Sequence, residues 1–380
     1  MHPLRVGNLG PIRRSPSLAG VRVGLVCPYS LSVPGGVQAQ VLGLGRVLRR
    51  LGVETRVLGP CDGPPPEPGV TALGESVPAV ANGSLAAIAP DPSAALRTIR
   101  ALRDEAFDVV HLHEPVVPGP TLTALVVSSA PLVGTFHRAG GSRWYQLVRP
   151  LARWSVGRLD LRVAVSEPAA ATARAVFGGE YVLAWNGIDL DRHRGVVPWP
   201  VAGPTVLFVG RHEERKGLAV LLEAAGRLPR DVTVWVAGEG PETEALRSRP
   251  TPGARIEWLG PIGEVEKLRR LAAADVFCAP SLHGESFGVV LLEGLAAGAV
   301  VVASGLDGYR RVVRPDVDGL LVRPGDPGAL GDAIAAVLEA GGRAGPLAEA
   351  GRLRAEEFGM PKLASLYLGL YEQARDARRR

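Results

Sequence analysis

Apolar and polar positions change period repeatedly along the chain. Val21-Arg22-Val23-Gly24-Leu25-Val26-Cys27 is a short, nearly continuous apolar run, the pattern of a buried parallel strand. A polar loop, Pro28 to Gly36, ends in Pro34-Gly35-Gly36, and from Val37 to about Leu51 the apolar positions recur at helical spacing. Glu54 to Leu58 is again strand-like, which completes the opening βαβ unit of a doubly wound sheet. Further strands are predicted at 108–111, 131–136, 161–165 and 181–183. Between the proline-rich loop Cys61 to Pro68 and Asp108 the pattern weakens and predicts no element. A Pro/Gly-rich stretch, Arg192 to Pro204, interrupts the alternation. Strands then resume at 205–209, 232–237, 255–258, 275–279 and 300–302, with helices between them and a last long helix from about Pro361 to Arg378.

The pattern predicts an α/β chain of two Rossmann-like, doubly wound domains. Residues 1–20 read as a disordered tail or an upstream-start artefact, 21–188 as the first domain and 189–203 as a linker. Residues 204–360 read as the second domain, and 361–380 as a helix packing back towards the first. The length of 380 residues agrees with two cores. No apolar run reaches the roughly 20 residues of a membrane span. Met1 to Gly20 is basic and lacks an apolar stretch, so it is not a secretory signal. Cys27, Cys61 and Cys278 are odd in number and unpaired in spacing, as expected of buried thiols in a reducing compartment.

Charge is uneven. Residues 1–200 carry 20 Arg and no Lys against 14 acidic residues, whereas residues 201–380 carry 23 basic against 24 acidic. The first half therefore suits an anionic partner, a lipid surface or a nucleic acid, unless the surplus is diffuse solubility charge. Residues 143–158 (RWYQLVRPLARWSVGR) sharpen this choice. In helical projection Trp144, Leu147, Val148, Leu151, Trp154 and Ser155 share one arc of about 120°, with Arg149 and Arg153 opposite. Two readings stand: an amphipathic helix at an anionic lipid interface, or a sheet-covering helix with an arginine-rich wet face. Pro150 kinks that helix or marks a second start.

The candidate chemistry clusters in the second half. The stretch 283–298 (HGESFGVVLLEGLAAG) passes from a polar loop into an apolar helix, with Phe287, Leu291 and Leu295 on one face. Glu285 and Glu293 flank the helix start, about 12 Å apart along the axis if the whole interval is helical. Carboxylate, helix N-terminus and carboxylate match sugar, diphosphate and ribose. The plain alternative is a solvated loop Glu and a helical Glu pairing with a neighbour. Arg211 and Lys216 stand between a strand's carboxyl end and a helix start, where two cations could clamp a diphosphate. Gly35 and Gly36 allow close backbone approach, or only a turn. His137 follows a strand, where doubly wound sheets expose functional groups, or it is a packing histidine. His111 and His113 have metal-like spacing but no third ligand is evident. The D-x-D pairs at 189–191 and 316–318 sit in connections without support as metal sites.

These motifs resemble the family 4 retaining glycosyltransferases of GT-B fold, and within them the phosphatidyl-myo-inositol mannosyltransferases of actinobacteria. The resemblance spans about residues 21–375. It is carried by VCPYSLSVPGGVQ at 26–38, HLHEP at 111–115, TFH at 135–137, AVS at 164–166, NGID at 186–189 and VGR…RKG at 209–217. It continues through GEGPE at 238–242, ADVFCAPSLHGESFGVVLLEGLAAG at 274–298 and VVAS at 301–304.

The resemblance implies two Rossmann-like domains facing across a cleft that closes over both substrates. It implies that Arg211, Lys216, Gly36 and the backbone of Phe287 and Gly288 hold the donor diphosphate. Glu285 would take the sugar hydroxyls, Glu293 the ribose, and Ile262, Glu264 and Lys267 the base. His137 would lie beside the anomeric carbon. The implied catalytic set is His137, Arg211, Lys216 and Glu285. The acceptor side is Tyr29, Gln38, His137, Arg138 and Arg143. The implied activity moves mannose from GDP-mannose to a phosphatidylinositol-type lipid, with no protein-bound cofactor and no divalent cation required. The partner is an anionic membrane surface met through helix 143–158, not a nucleic acid, and the implied location is cytoplasmic, on the inner face of the plasma membrane. Four departures concern Ser32, where Asp is usual, the arginine-bearing segment after His137, a shorter 211–216 loop, and Trp185, where Pro is common. Other acceptors, a nucleotide-sugar 2-epimerase and a non-catalytic binding protein are the alternatives.

Overall fold

The structure is a computed structural model and describes residues 20–81, 84–140 and 149–379. The expected tail and Arg143 lie outside the described residues. The chain forms two compact units, one running to Gly187 and resuming at Met360, the other covering Ile188–Gly359.

In the first unit the strands are β1 (Arg22–Val26), β2 (Glu54–Gly59), β3 (Val70–Ala72), β4 (Val77–Ala81), β5 (Ser84–Ile88), β6 (Val109–His113), β7 (Leu132–Phe136), β8 (Leu161–Ala164) and β9 (Val182–Leu183). Its helices before the crossover are α1 (Gly36–Arg50), α2 (Pro92–Glu105), α3 (Pro120–Val127), α4 (Arg149–Val156) and α5 (Glu167–Phe177). Among the described residues the main sheet is parallel in the order β3-β2-β1-β6-β7-β8-β9, and β4 and β5 form a separate antiparallel hairpin. Side chains alternate between two cores. Val23 and Leu25 of β1 face one, and Val26 faces the other. Gly24 sits where an added Cβ would lie 2.9 Å from the Phe107 ring, so the strand approaches its covering segment closely only without a side chain.

The second unit contains β10 (Thr205–Val209), β11 (Thr233–Ala237), β12 (Arg255–Gly260), β13 (Val276–Ala279), β14 (Val300–Ser304) and β15 (Leu320–Val322). Its helices are α6 (Leu218–Ala225), α7 (Thr243–Arg247), α8 (Glu264–Ala273), α9 (Val289–Ala297), α10 (Asp307–Arg310), α11 (Pro327–Glu339) and α12 (Pro346–Glu357). Its sheet is parallel in the order β12-β11-β10-β13-β14-β15. Asp326 caps α11 by accepting from Ala329 N–H at 2.9 Å, with Pro327 in the first turn.

The last helix, α13 (Met360–Arg379), belongs to the first unit. Its Met360, Leu363, Ala364, Tyr367, Leu370, Tyr371 and Ala374 are buried in the core that also holds Val23, Leu25 and α1. A second long-range tie joins α1 to the end of the unit. Buried Gln40 donates from Nε2 to the Gly187 carbonyl at 2.8 Å and accepts from Gly187 N–H at 2.7 Å. Both backbone groups of Gly187 are thus satisfied by one side chain.

Every strand expected from the pattern forms, with ends within two residues of the expected ones. The segment for which no element was expected holds β3, β4, β5 and α2, and β15 was also missed. Gln40→Ala should lower unfolding free energy by about 2–4 kcal/mol, because it strands a buried donor and acceptor together. Urea denaturation checks this, and a loss below about 1 kcal/mol would show the clasp to be dispensable.

Candidate active site

In the second unit the chain winds from β10 through β11 to β12, then returns to the other side of β10 for β13, β14 and β15. The sheet's switch point therefore lies between β10 and β13, where ligands of doubly wound sheets bind at the carboxyl ends. The two loops leaving this point touch. Gly217 has φ +69°, and a Cβ there would fall 2.0 Å from the Pro280 carbonyl oxygen. Only glycine fits both demands. Leu282 N–H also donates to the Arg215 carbonyl at 2.8 Å.

These loops bring together a chain of alternating charges. Arg211 Nε meets Glu213 Oε1 at 2.7 Å, and Arg215 Nε meets Glu213 Oε2 at 2.9 Å. Arg215 reaches Glu285 Oε1 at 3.5 Å, and Lys216 Nζ donates to the same oxygen at 2.6 Å. Ser281 Oγ donates to it at 3.2 Å and is 3.0 Å from the Tyr309 hydroxyl. Burial, then the nearby Glu285 charge, pushes the Tyr309 phenol well above its ordinary range, so it stays neutral.

The residues after Glu285 are shaped by what lies beneath them. Gly288 has φ +95°, and a Cβ there would meet the Tyr309 ring at 2.7 Å. Phe287 is buried and packs edge-on against Phe358 at 5.8 Å, so only its backbone is available to a ligand. Helix α9 starts at Val289 with no side-chain cap, and Leu291 N–H donates to the Gly288 carbonyl at 3.0 Å. As expected, Glu285 lies in the loop before the helix and Glu293 inside it, so the 12 Å spacing of a fully helical interval does not apply. Leu291 and Leu295 are buried as expected. Glu293 accepts from Lys267 Nζ at 2.9 Å, and Lys267 also meets Glu264 at 3.0 Å. Burial lowers the Lys267 pKa, but Glu293 and Glu264 outweigh it and hold the ammonium above its usual range. Ile262 is half-buried just ahead of α8.

The first unit brings a different set together. His137 follows β7, and its Nε2 is 2.9 Å from His113 Nδ1 at the end of β6. Glu114 Oε1 accepts from the backbone N–H of His137 at 2.6 Å and of Arg138 at 2.8 Å. A carboxylate therefore does lie beside His137, one that sequence reading did not find. His111 is not a metal ligand in this arrangement. Its Nδ1 is 2.9 Å from Tyr371 OH and its Nε2 is 2.7 Å from Thr135 Oγ1. Tyr29 is half-buried, and its pKa is raised by burial, then by Glu114, with Arg138 opposing. Gln38 turns inward, its amide donating to the Ser30 carbonyl at 3.3 Å, so it supports the loop after β1. Gly36 is exposed at the start of α1 with open space around its Cα. Ser32 Oγ accepts from Asp62 N–H at 3.0 Å. Among the described residues no group of three His, Cys, Asp or Glu is placed to hold a metal ion.

Family models for "Glycosyltransferase Family 4" and "Glycosyl transferases group 1" match residues 34–192 and 203–340. A phosphatidyl-myo-inositol mannosyltransferase of Mycobacterium leprae is 41% identical over 335 residues, 84% of this chain and 87% of the relative. One of Mycobacterium tuberculosis is 36% identical over 370 residues, 93% and 97% of the two chains. The chain belongs to the family 4 glycosyltransferases. Sucrose-phosphate synthase of Thermosynechococcus elongatus shares the fold, with TM-score 0.74, 21% identity and coverage of 93% and 98%.

This glycosyltransferase has the two doubly wound units that the resemblance implied. Glu213, Arg215, Ser281, Tyr309, Glu114 and Asn186 were given no role by the sequence, and His113 was weighed only as half of a metal-like pair, since each is joined to its site only by folding. Asn186 opposes the fall that burial imposes on the His137 pKa. Helix 143–158 is described from Arg149, where Arg153 Nε donates to the Val176 carbonyl at 2.9 Å. Trp154 is 59% exposed while Ser155 and Val156 are buried, so the aromatic is not core. Among the described residues no helix is long and apolar enough to cross a membrane.

Burial lowers the pKa of His137 to about 4, and burial then the His137 charge lowers His111 to about 3; His113 is also depressed. Unfolded histidines bind protons below about 6.5, while these resist, so acid favours unfolding. Stability should be fully present above pH 6.5 and fall as pH drops towards 4, by roughly 3 kcal/mol from His137 alone. Urea midpoints measured across that window check it. A His111→Asn variant should show a shallower slope, and an unchanged slope would contradict the assignment.

Proposed function

We propose that this glycosyltransferase moves mannose from GDP-mannose to a phosphatidylinositol-type lipid, with the anomeric configuration retained. The observation that carries the reading is the convergence of Arg211, Lys216 and Glu285 at the β10/β13 switch point. The names of the relatives at 36–41% identity support the acceptor and the sugar.

Lys216 has three N–H donors, so one can serve Glu285 while the others serve phosphate oxygens. Arg211 and the first N–H groups of α9 add donors to the same diphosphate. Glu285 takes the sugar hydroxyls through Oε2, since the Lys216, Arg215 and Ser281 contacts fall on Oε1. Glu293 takes the ribose. Ile262, Glu264 and Lys267 surround the base, where a carboxylate accepting from guanine N1–H and N2–H favours GDP. No divalent cation is required, since the cations of the site supply the charge.

Tyr29, His137 and Arg138 form the acceptor side, with Gln38 behind them and Arg143 contributing from outside the described residues. Glu114 is no free nucleophile, because one of its oxygens already binds two backbone N–H groups. Same-face attack on an oxocarbenium-like centre is therefore favoured, with the departing diphosphate taking the acceptor's proton. The developing phosphate charge is stabilised by Arg211, Lys216 and the α9 N-terminus. The exposed Trp154 beside Arg153 supports seating on an anionic membrane at its cytoplasmic face.

Glu285→Ala and Lys216→Ala should each lower transfer by about 10²–10³-fold, the cost of one such contact, with circular dichroism unchanged. Radiolabelled GDP-mannose with phosphatidylinositol vesicles gives the measurement. Full activity in either variant sinks the site, and donor consumption without any lipid would point to epimerisation.

A further inference from the structure

We propose that the adjacent residues His113 and Glu114 are positioning residues for the turn His137–Arg138, holding its backbone and its imidazole in one arrangement. The inference rests on the reading of the first unit as the acceptor side.

Two independent contacts carry it. The Glu114 carboxylate uses one oxygen to bind the N–H groups of both His137 and Arg138, at 2.6 and 2.8 Å. Its residue is 3% exposed and has φ +49°, a left-handed conformation that a non-glycine residue rarely adopts. Such strain persists only where surrounding contacts over-determine it, and it collects at functional sites. Here Glu114 N–H donates to the Thr135 carbonyl at 2.8 Å, while its own carbonyl accepts from Val117 N–H at 3.1 Å and from Thr121 Oγ1 at 3.3 Å. The backbone is pinned on both sides so that the side chain turns onto the neighbouring strand's exit.

The second contact fixes a tautomer. His113 Nδ1 and His137 Nε2 are 2.9 Å apart, so one carries the shared proton. Among the described residues His113 Nε2 is buried without a partner. A buried N–H with no acceptor is costlier than a bare acceptor lone pair. The proton of His113 therefore sits on Nδ1 and is donated to His137. His137 must then carry its own proton on Nδ1. The ring of His137 is held by this bond and stacked on His113 with centroids 5.2 Å apart. It orients the turn and does not shuttle protons.

The test uses the full chain with Glu114→Ala, Glu114→Gln, His113→Phe and His113→Asn. Amide hydrogen exchange is read at His137 and Arg138, alongside kcat, KM for each substrate and GDP affinity. Glu114→Ala should speed exchange of those two amides at least tenfold while β7 stays protected, and Glu114→Gln, which keeps an acceptor oxygen, should restore most of the protection. His113→Phe should lower kcat at least tenfold with GDP affinity within twofold of wild type. His113→Asn, which places a donor near the Nδ1 position, should recover most of that loss. Unchanged exchange in Glu114→Ala overturns the clamp. Equal losses in His113→Phe and His113→Asn overturn the tautomer argument, as does wild-type kcat in His113→Phe. Should Glu114→Ala not fold, the Glu114→Gln exchange rates and the His113 pair still decide. A wild-type chain that transfers no sugar to lipid sinks the acceptor reading, whereas the exchange pattern still tests the clamp.

Discussion

The contact between Lys216 and Glu285 holds the second unit's site in being. It joins two loops that leave different strands at the switch point, and it is the last link of a chain that runs Arg211, Glu213, Arg215, Glu285, Lys216. Three cations this close would repel one another in a partly dry site. Two interleaved carboxylates remove most of that repulsion and leave one net positive charge. The cations are therefore aimed before any anion arrives, so little reorganisation is needed when charge builds on a phosphate. The glycines at 217 and 288 serve the same end, since each admits a backbone or ring that a side chain would exclude.

The first unit relies on buried histidines and on one carboxylate, Glu114, bound to backbone N–H groups. Burial lowers the pKa of its histidines, and they are tied to hydroxyls and to each other. Geometry there is set by hydrogen bonds whose donors and acceptors are matched one by one, so the loss of a single partner strands another. Charge recognition and orientation are thus assigned to different units of one polypeptide, each with a sheet of the same winding.

Much of this was legible in the sequence because parallel strands buried on both faces give near-continuous apolar runs. Val23 to Cys27 and Thr205 to Val209 are such runs. The segment after Pro68 was not legible, for physical reasons. Strand β3 is three residues long, the β4/β5 hairpin is rich in alanine, which has little strand preference, and the apolar face of α2 is thin. Arg211, Lys216, Glu285 and Glu293 could be named because family motifs surround them. Glu114 and His113 stood inside such a motif, yet their partners lie 23 and 24 residues away on the next strand. Spacing cannot announce that contact, since it exists only once β6 and β7 pair. Gln38, in a site motif too, has a contact the motif does not show: its amide donates to the Ser30 carbonyl of the loop after β1.

The position of α13 has a consequence for how the first unit is closed. The face of β6 that carries His111, and the neighbouring Thr135, find their partners in Tyr371 and Tyr367 at the very end of the chain. The first unit's core is incomplete without α13, whose Tyr367 and Tyr371 are both buried in it. The second unit is continuous from Ile188 to Gly359 and has no such debt to later sequence. The first unit is thus closed by residues that follow the whole second unit in sequence, whereas the second unit's core is drawn from one continuous stretch.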